Sequence, residues 1–160
     1  MRTEQEAKRA IDLYADMIRR ICLLHLKNHA DTEDVLQEVL LKYVLRSDIF
    51  ESQEHEKAWF IRVTLNSCKD FLKSLFRRQT VPLDLLSEES ASVTPESLDV
   101  LEAVLALPEK YKIVIYLHYY EGYTAREIGA LLNKRENTVY SLLSRGRERL
   151  KQELGGDGIE

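Results

Sequence analysis

Apolar residues recur every three or four positions along most of this 160-residue chain, which is the spacing of one face of an α-helix. The first such pattern predicts a helix near residues 5 to 28. Its apolar positions are Ile11, Tyr14, Ala15, Ile18, Ile21, Cys22 and Leu26. A second helix is expected from an N-cap at Asp31 or Thr32 to about Arg46, and a third from Glu54 to Phe76. Few stretches alternate with period two, so we expect an all-α fold.

Helices with clear end signals follow in the C-terminal part. One begins at Leu107-Pro108-Glu109, with the proline in its first turn. Thr124 and Glu127 then match a capping box, in which both side chains satisfy the first backbone amides of a short helix. Asn133 tolerates a left-handed turn, and a longer helix runs from about Glu136 to Leu154. This order is typical of a helix-turn-helix, although a plain helical hairpin has the same pattern.

The charge is distributed unevenly. The formal net charge is -4, which taken alone argues against nucleic-acid binding. Residues 81–109, however, hold seven acidic and no basic side chains, while the segments before and after carry balances of +1 and +2. All three prolines lie in this acidic block. The sequence therefore predicts two small helical domains, over residues 5–77 and 98–154, joined by an acidic linker over residues 78–97.

Several classes of protein are disfavoured. No apolar run approaches the ~20 residues of a membrane span, and the polar N-terminus is unlike a signal peptide. We therefore expect a cytoplasmic protein without membrane insertion. The two cysteines, Cys22 and Cys68, lack the spacing of a zinc ribbon and are too few for a disulfide scaffold. No set of nucleophile, base and orienting residue is visible, so we expect no enzymatic activity, cofactor or metal.

The second helix carries a mixed stripe, in which acid and amide side chains share one face with leucines. Its members are Asp34, Gln37, Glu38, Leu41 and Leu45. Such a mixture suits a protein interface better than a core or a fully solvated face. The alternative is that Leu41 and Leu45 pack on the first helix of the same domain.

The third helix carries a basic stripe along one face. Its members are Arg62, Asn66, Lys69, Lys73 and Arg77. Aromatic residues lie along the same helix at positions 59, 60, 71 and 76. Cations attract phosphates and rings stack on unpaired bases, so this combination is typical of a nucleic-acid contact. A solvated basic face over a buried aromatic core is the alternative.

The outer side of the last helix is polar and basic. In the preceding turn and on that side lie Lys134, Arg135, Asn137, Tyr140, Ser141, Ser144, Arg145 and Arg147. Arginine binds guanine edges in a major groove, and serine and asparagine hydrogen-bond to bases or phosphates. Together with the helix-turn-helix pattern, these residues predict a contact with double-stranded DNA.

Three sequence motifs follow one another along the chain. The first is Asp31-Thr-Glu-Asp-Val-Leu-Gln-Glu-Val39, and the second runs from Trp59 through Asn66 to Lys73. The third begins at Leu107-Pro108, continues through Thr124-Ala-Arg-Glu-Ile128 and ends at Thr138-Val-Tyr-Ser-Leu-Leu-Ser-Arg-Gly-Arg-Glu-Arg-Leu150. In order and spacing they resemble the extracytoplasmic-function (ECF) sigma factors of bacterial RNA polymerase, over roughly residues 8 to 152. The resemblance implies a sigma factor that directs promoter recognition, melting and transcription initiation.

The resemblance also implies a role for each surface. The second helix would dock on the clamp helices of the polymerase's largest subunit through Asp34, Gln37, Glu38 and Leu41. The basic stripe and the loop before it, about Phe50 to His55, would bind the -10 element, from which one base is flipped out. The acidic linker would pass through the channel that RNA later occupies. The residues on the -35 side would be Lys134, Arg135, Asn137, Thr138, Tyr140, Ser141, Ser144, Arg145 and Arg147.

The implied partners are core RNA polymerase and promoter DNA. Many relatives also bind an anti-sigma factor, which this sequence does not identify. The chain departs from the family at Gly146, where alanine is usual, at Tyr140, where a basic residue is frequent, and at Lys73, where arginine is usual. A glycine within a helix costs about 1 kcal/mol relative to alanine.

Two other functions remain open at this point. A stand-alone helix-turn-helix regulator would use the C-terminal domain identically but would need a dimer interface or an effector pocket in the N-terminal domain. A small helical metalloenzyme is suggested by His25 and His29, four positions apart, with Glu33 one turn further. That site requires one continuous helix through Ala30 and Asp31, where the sequence predicts a break.

Overall fold

The computed structural model describes residues 1–78 and 102–154. The predicted acidic linker over residues 78–97 lies outside the described residues except for its first position. The chain divides into two compact units, Met1–Ala91 and Ser92–Glu160, each of which is described by itself. Every regular element within the described residues is helical, which confirms the all-α prediction.

The N-terminal unit is built from three long helices that pack against one another. Helix α1 spans Glu4–Leu26, α2 spans His29–Leu45 and α3 spans Gln53–Arg78. Their apolar faces meet in a shared core, and burying each large side chain there stabilises the fold by roughly 1.5–3 kcal/mol. The most deeply buried residues include Ile18, Ile21, Val35, Val39, Phe60 and Ile61.

The turn between α1 and α2 corrects the predicted helix boundaries. Helix α1 ends at Leu26, and Lys27 adopts the left-handed conformation with φ 55°. Asn28 is the N-cap of α2, since its side chain accepts a hydrogen bond from the Asp31 amide at 2.8 Å. The prediction of an N-cap at Asp31 or Thr32 is therefore wrong, because the chain reverses within two residues.

A buried carboxylate ties the three helices together. Glu56 of α3 is 5% exposed and accepts hydrogen bonds from the hydroxyls of Tyr14 on α1 (2.8 Å) and Tyr43 on α2 (2.9 Å). The Arg9 guanidinium donates to the same carboxylate at 3.1 Å. Burial, and then the hydrogen bond to Glu56, raise the pKa of Tyr14 above its usual range. These four residues, the Glu56 cluster, join elements that lie far apart in the sequence.

The C-terminal unit contains the predicted helix-turn-helix. Residues 102–106 are helical, α4 spans Glu109–Ile115, and a π-helical turn continues it over Tyr116–Tyr120. Helix α5 spans Ala125–Leu132 and α6 spans Glu136–Glu153. Helices α4 and α5 both pack against α6, so the last helix has one buried side and one exposed side.

Backbone conformation sets the turn between α5 and α6. Thr124 and Glu127 form the predicted capping box at the start of α5, and Asn133 adopts the predicted left-handed conformation with φ 59°. Gly129 lies directly against this turn, where a Cβ atom would be 2.6 Å from the Lys134 carbonyl oxygen. A side chain at this position would displace the turn, so the close approach requires glycine.

Gly146 lies where α6 packs on α4. It is buried, and a Cβ atom there would lie 3.1 Å from the Ile115 side chain and 3.4 Å from Cβ of Tyr111. These neighbours are side-chain atoms, which can move, whereas the neighbour of Gly129 is backbone. Close packing of the two helices offsets the low helix propensity of glycine at this position.

Candidate functional site

The mixed stripe of α2 lies on the surface. All five of its residues are exposed, and Leu41 and Leu45 are exposed by 57% and 62%. The alternative in which these two leucines pack on α1 is therefore wrong. Large apolar side chains beside exposed acid and amide groups are the composition of a surface that another protein covers.

A shallow apolar groove extends this surface from α2 onto α1. Leu41 and Val44 line it on one side, and Ala7 and Ile11 line it on the other. Ile11 is 44% exposed, so its assignment to the buried face of α1 is wrong. The pattern of apolar spacing missed this because Ile11 is on the edge of that face.

Glu38 is held in place by contacts that reach α3. Its carboxylate lies 3.1 Å from the Lys42 ammonium and accepts a hydrogen bond from the Ser67 hydroxyl at 3.3 Å. Lys42 also donates to Ser67 at 3.2 Å. Ser67 is the sequence neighbour of Asn66, so this small polar network reaches from the mixed stripe of α2 to the helix that carries the basic stripe.

The basic stripe of α3 is exposed along its whole length. Arg62, Asn66, Lys69, Lys73 and Arg77 all point to solvent. The aromatic residues of the helix divide between core and surface: Phe60 is completely buried, while Phe76 is 77% exposed. The stripe therefore presents cations on one face, and only part of the aromatic set is available for stacking.

Arginine and aromatic side chains hold the loop between α2 and α3. The guanidinium of Arg2 lies 4.2 Å from the ring centroid of Tyr43 and donates to the Asp48 carbonyl oxygen at 2.7 Å. The guanidinium of Arg46 lies 5.4 Å from the centroid of Phe50 and 5.1 Å from that of Trp59. Cation–π contacts and ring packing thus fix a loop that has no regular secondary structure.

The outer side of α6 presents the predicted residues. Val139, Leu142, Leu143 and Leu150 face the core of the unit. The exposed set is Lys134, Arg135, Asn137, Thr138, Tyr140, Ser141, Ser144, Arg145 and Arg147. One contact was not expected: the Arg147 guanidinium donates to the hydroxyl oxygen of Tyr119 at 2.8 Å.

The geometry removes the basis for a histidine metal site. His25 belongs to α1 and His29 begins α2, with Lys27 and Asn28 interrupting the helix between them. His25 uses Nδ1 in a contact of 2.9 Å with the Ile21 carbonyl oxygen. Within residues 1–78 and 102–154, no group of three or more His, Cys, Asp or Glu side chains is placed to hold a metal ion.

The two cysteines meet in the core of the N-terminal unit, which their spacing in the sequence does not indicate. The sulfur atoms of Cys22 and Cys68 are 3.8 Å apart, and both residues are buried free thiols. The hydrogen bond with Cys68, and then burial, raise the pKa of Cys22 above its usual range.

No helix in the described part of the chain is long and apolar enough to cross a membrane.

Comparison with known proteins identifies the family of this chain. The family model "Sigma-70 region 2" matches residues 10–78, and "Sigma-70, region 4" matches residues 97–150. The chain is 29% identical to the ECF RNA polymerase sigma factor SigW of Bacillus subtilis, over 90% of this chain and 86% of that protein. The chain belongs to the ECF sigma factors. It is also 26% identical to the ECF RNA polymerase sigma factor SigM of Mycobacterium tuberculosis, over 86% of this chain and 71% of that protein.

Solved structures of sigma factors share the fold. The sigma factor RpoE, solved in complex with the anti-sigma factor NepR from Bartonella quintana, matches with a TM-score of 0.78 and 22% identity, over 96% of this chain and 99% of that one. CnrH, solved in complex with the cytosolic domain of CnrY, matches with a TM-score of 0.69 and 19% identity, over 98% and 92%. An ECF sigma factor acts with RNA polymerase, so the stand-alone regulator is excluded as an alternative.

Proposed function

We propose that this sigma factor docks on core RNA polymerase through the mixed stripe of α2. Asp34, Gln37, Glu38 and Leu41 would contact the clamp helices of the largest subunit. The proposal is supported by the exposure of both leucines and by the adjoining groove, since a surface of this kind is stabilised when a partner covers it. The network of Lys42 and Ser67 restrains Glu38 before binding, which lowers the entropy lost on docking.

The basic stripe of α3 and the loop before it would bind the -10 element. Arg62, Lys69, Lys73 and Arg77 supply positive charge to phosphates, and Asn66 supplies an amide for a base edge. Extrusion of a base costs a few kcal/mol, which stacking and pocket contacts offset. The loop is held by the contacts of Arg2 and Arg46, so its shape is set before DNA arrives.

The outer side of α6 would bind the -35 element in the major groove. Tyr140, Ser141, Ser144 and Arg145 are exposed among the first ten residues of α6, and a recognition helix contacts base edges with its earlier residues. The turn residues Lys134 and Arg135, with Asn137, Thr138 and Arg147, would contact DNA around them. The acidic linker, which lies outside the described residues, would pass through the polymerase's RNA channel.

The activity so described is promoter selection in the cytoplasm, with no enzymatic activity and no cofactor of the protein's own. The polymerase would supply the chemistry. One of the solved sigma factors named above is in complex with an anti-sigma factor, and the other is in complex with the cytosolic domain of CnrY. An anti-sigma factor is therefore a further expected partner of this chain. The observation that carries the function is the presence of regions 2 and 4 in one chain, each with its predicted surface exposed.

The direct test is transcription by core polymerase on a pool of genomic promoter fragments, with and without this protein. New start sites are expected only when the protein is present. Asp34→Arg should abolish them by placing a cation in the core-binding stripe. The matched control is Asp12→Arg, the same change at an exposed position of α1, which should keep them. Absence of new start sites with folded protein and active core contradicts the proposal.

A further inference from the structure

A pair of side chains joins the π-helical turn that follows α4 to the outer side of α6. The Arg147 guanidinium donates to the Tyr119 hydroxyl oxygen at 2.8 Å, across 28 positions of sequence. Tyr119 is 55% exposed, and Arg147 is exposed as well. The pair therefore lies on the surface of the C-terminal unit and is not part of its core.

The chemistry of this pair leaves hydrogen-bond donors facing outward. The phenol oxygen of Tyr119 accepts from Arg147, so the phenolic proton remains available to a second acceptor. The guanidinium has five N–H groups and uses one of them in this contact. Two neighbouring donor groups, one of them positively charged, match an anionic group with several acceptor oxygens.

The ring of Tyr119 is also restrained from its other side. The ring of His118 meets it edge to face, with the centroids 4.8 Å apart. His118 is itself fixed, because its Nδ1 lies 2.8 Å from the Tyr123 carbonyl oxygen. The hydroxyl of Tyr119 is thus held in place before any ligand arrives, which reduces the entropy lost on binding.

The position of the pair along α6 points to a backbone phosphate. Arg147 follows Tyr140 and Ser144 at helical spacing, so the three residues share one stripe of the outer side. Arg147 lies seven residues beyond Tyr140, or ~10.5 Å along the helix axis. A recognition helix contacts base edges with its earlier residues, so a donor pair this far along the helix lies near the sugar-phosphate strand.

We propose that Tyr119 and Arg147 together bind one backbone phosphate beside the -35 element, with Tyr119 as a DNA-binding residue outside the helix-turn-helix. The proposal rests on the proposed -35 role of α6. It adds a contact from the π-helical turn after α4, and it gives the Tyr119 hydroxyl a role that the motif of α6 does not indicate.

The test measures the affinity of holoenzyme, assembled from core polymerase and the full chain, for a promoter fragment selected by the wild-type protein. Tyr119→Phe should lower affinity about fivefold, since it removes one hydrogen bond and keeps the ring. It should leave the slope of log affinity against log salt unchanged, because no charge is lost. Arg147→Gln should lower affinity and also reduce that slope by about 0.9. Tyr120→Phe, at the neighbouring exposed tyrosine, is the control and should bind like the wild type.

Methylphosphonate substitution of single phosphates then locates the contact. One phosphate should exist whose neutralisation weakens wild-type binding and abolishes the difference between wild type and Tyr119→Phe. The proposal is overturned if Tyr119→Phe binds like the wild type, if its loss persists at every substituted phosphate, or if it changes the preferred base at one position. Failure of the wild-type protein to select any fragment contradicts the promoter-binding function itself, which separates the two results.

Discussion

The two units fix the geometry of their candidate surfaces by different means. In the N-terminal unit, side chains from distant positions meet in the core: Glu56 is 42 residues from Tyr14 and 47 from Arg9. In the C-terminal unit, backbone conformation over a few consecutive residues sets the angle between α5 and α6. All six glycines lie in the C-terminal half of the chain, and residues 1–78 contain none. The first unit should therefore be most sensitive to loss of a polar side chain, and the second to addition of a methyl group.

The largest effect is expected from Glu56→Ala. Removal of the carboxylate leaves the hydroxyls of Tyr14 and Tyr43 buried without their acceptor, which should cost the N-terminal unit about 3 kcal/mol of unfolding free energy. Trp59 is the only tryptophan, so its fluorescence during urea denaturation reports on this unit alone. Glu56→Gln keeps an acceptor oxygen and should lose less. An unchanged urea midpoint for Glu56→Ala would contradict the role given to the cluster.

The second-largest effect is expected from Gly129→Ala, which tests whether backbone conformation sets the turn between α5 and α6. The added methyl would lie 2.6 Å from the Lys134 carbonyl oxygen, so the turn must shift at a cost of about 2 kcal/mol. Hydrogen exchange of the α5 and α6 amides measures this loss of stability. The urea denaturation curve followed by Trp59 fluorescence should not change. Gly146→Ala is the matched control, because its neighbour is the movable Ile115 side chain; its effect should stay within about 1 kcal/mol. Equal losses in the two variants would contradict the distinction between backbone and side-chain neighbours.

A capping box begins a helix in each unit, α1 in the first and α5 in the second, which permits a direct comparison. Thr124→Ala removes the cap of the eight-residue helix α5 and should cost about 1 kcal/mol. Thr3→Ala removes the equivalent cap of the 23-residue helix α1 and should cost about half as much, because a long helix tolerates fraying of its first turn. Urea denaturation, followed by Trp59 fluorescence for α1 and hydrogen exchange for α5, checks the order. A larger loss of stability for Thr3→Ala than for Thr124→Ala would contradict this expectation.

The smallest effect is a gain in stability. Lys27 holds a left-handed conformation that favours glycine, so Lys27→Gly should stabilise the N-terminal unit by about 0.5–1 kcal/mol. Asn133→Gly makes the corresponding change in the C-terminal unit and should gain less, since asparagine tolerates this conformation. Denaturation midpoints measure both variants. Destabilisation by Lys27→Gly would show that its side chain contributes more than its backbone strain costs.

The sequence predicts most accurately the structural features that depend on residues close together along the chain. The capping box at Thr124 and the left-handed Asn133 follow from residue type and spacing, and the structure has both. The N-cap of α2 was missed because the chain reverses at Lys27, a residue type that does not mark such turns. Glu56 resembles any exposed acid in the sequence, and only the packing of three helices makes it buried. The contact of Tyr119 with Arg147 was missed for the same reason, because nothing local connects the two positions.

The candidate surfaces show the same difference between features of a single helix, which the sequence predicts, and contacts between helices, which it does not. Helical periodicity correctly placed the basic stripe and the outer side of α6 in solvent, since each is a property of one helix. It could not decide whether Leu41 and Leu45 pack on α1, because that depends on where a neighbouring helix lies. The contact of Arg2 with the loop carbonyl of Asp48 likewise joins positions 46 residues apart and has no signal in the sequence.

The central claim is that core binding belongs to α2 and -35 recognition to α6, in one chain. The most direct test compares Asp34→Arg and Ser144→Glu in two assays, binding to core polymerase and binding of assembled holoenzyme to a duplex carrying the -35 element. Asp34→Arg should abolish core binding, whereas Ser144→Glu should bind core like the wild type and lose affinity only for the -35 duplex, because a carboxylate on the outer side of α6 repels DNA. Loss of core binding by Ser144→Glu, or normal core binding by Asp34→Arg, would contradict this assignment.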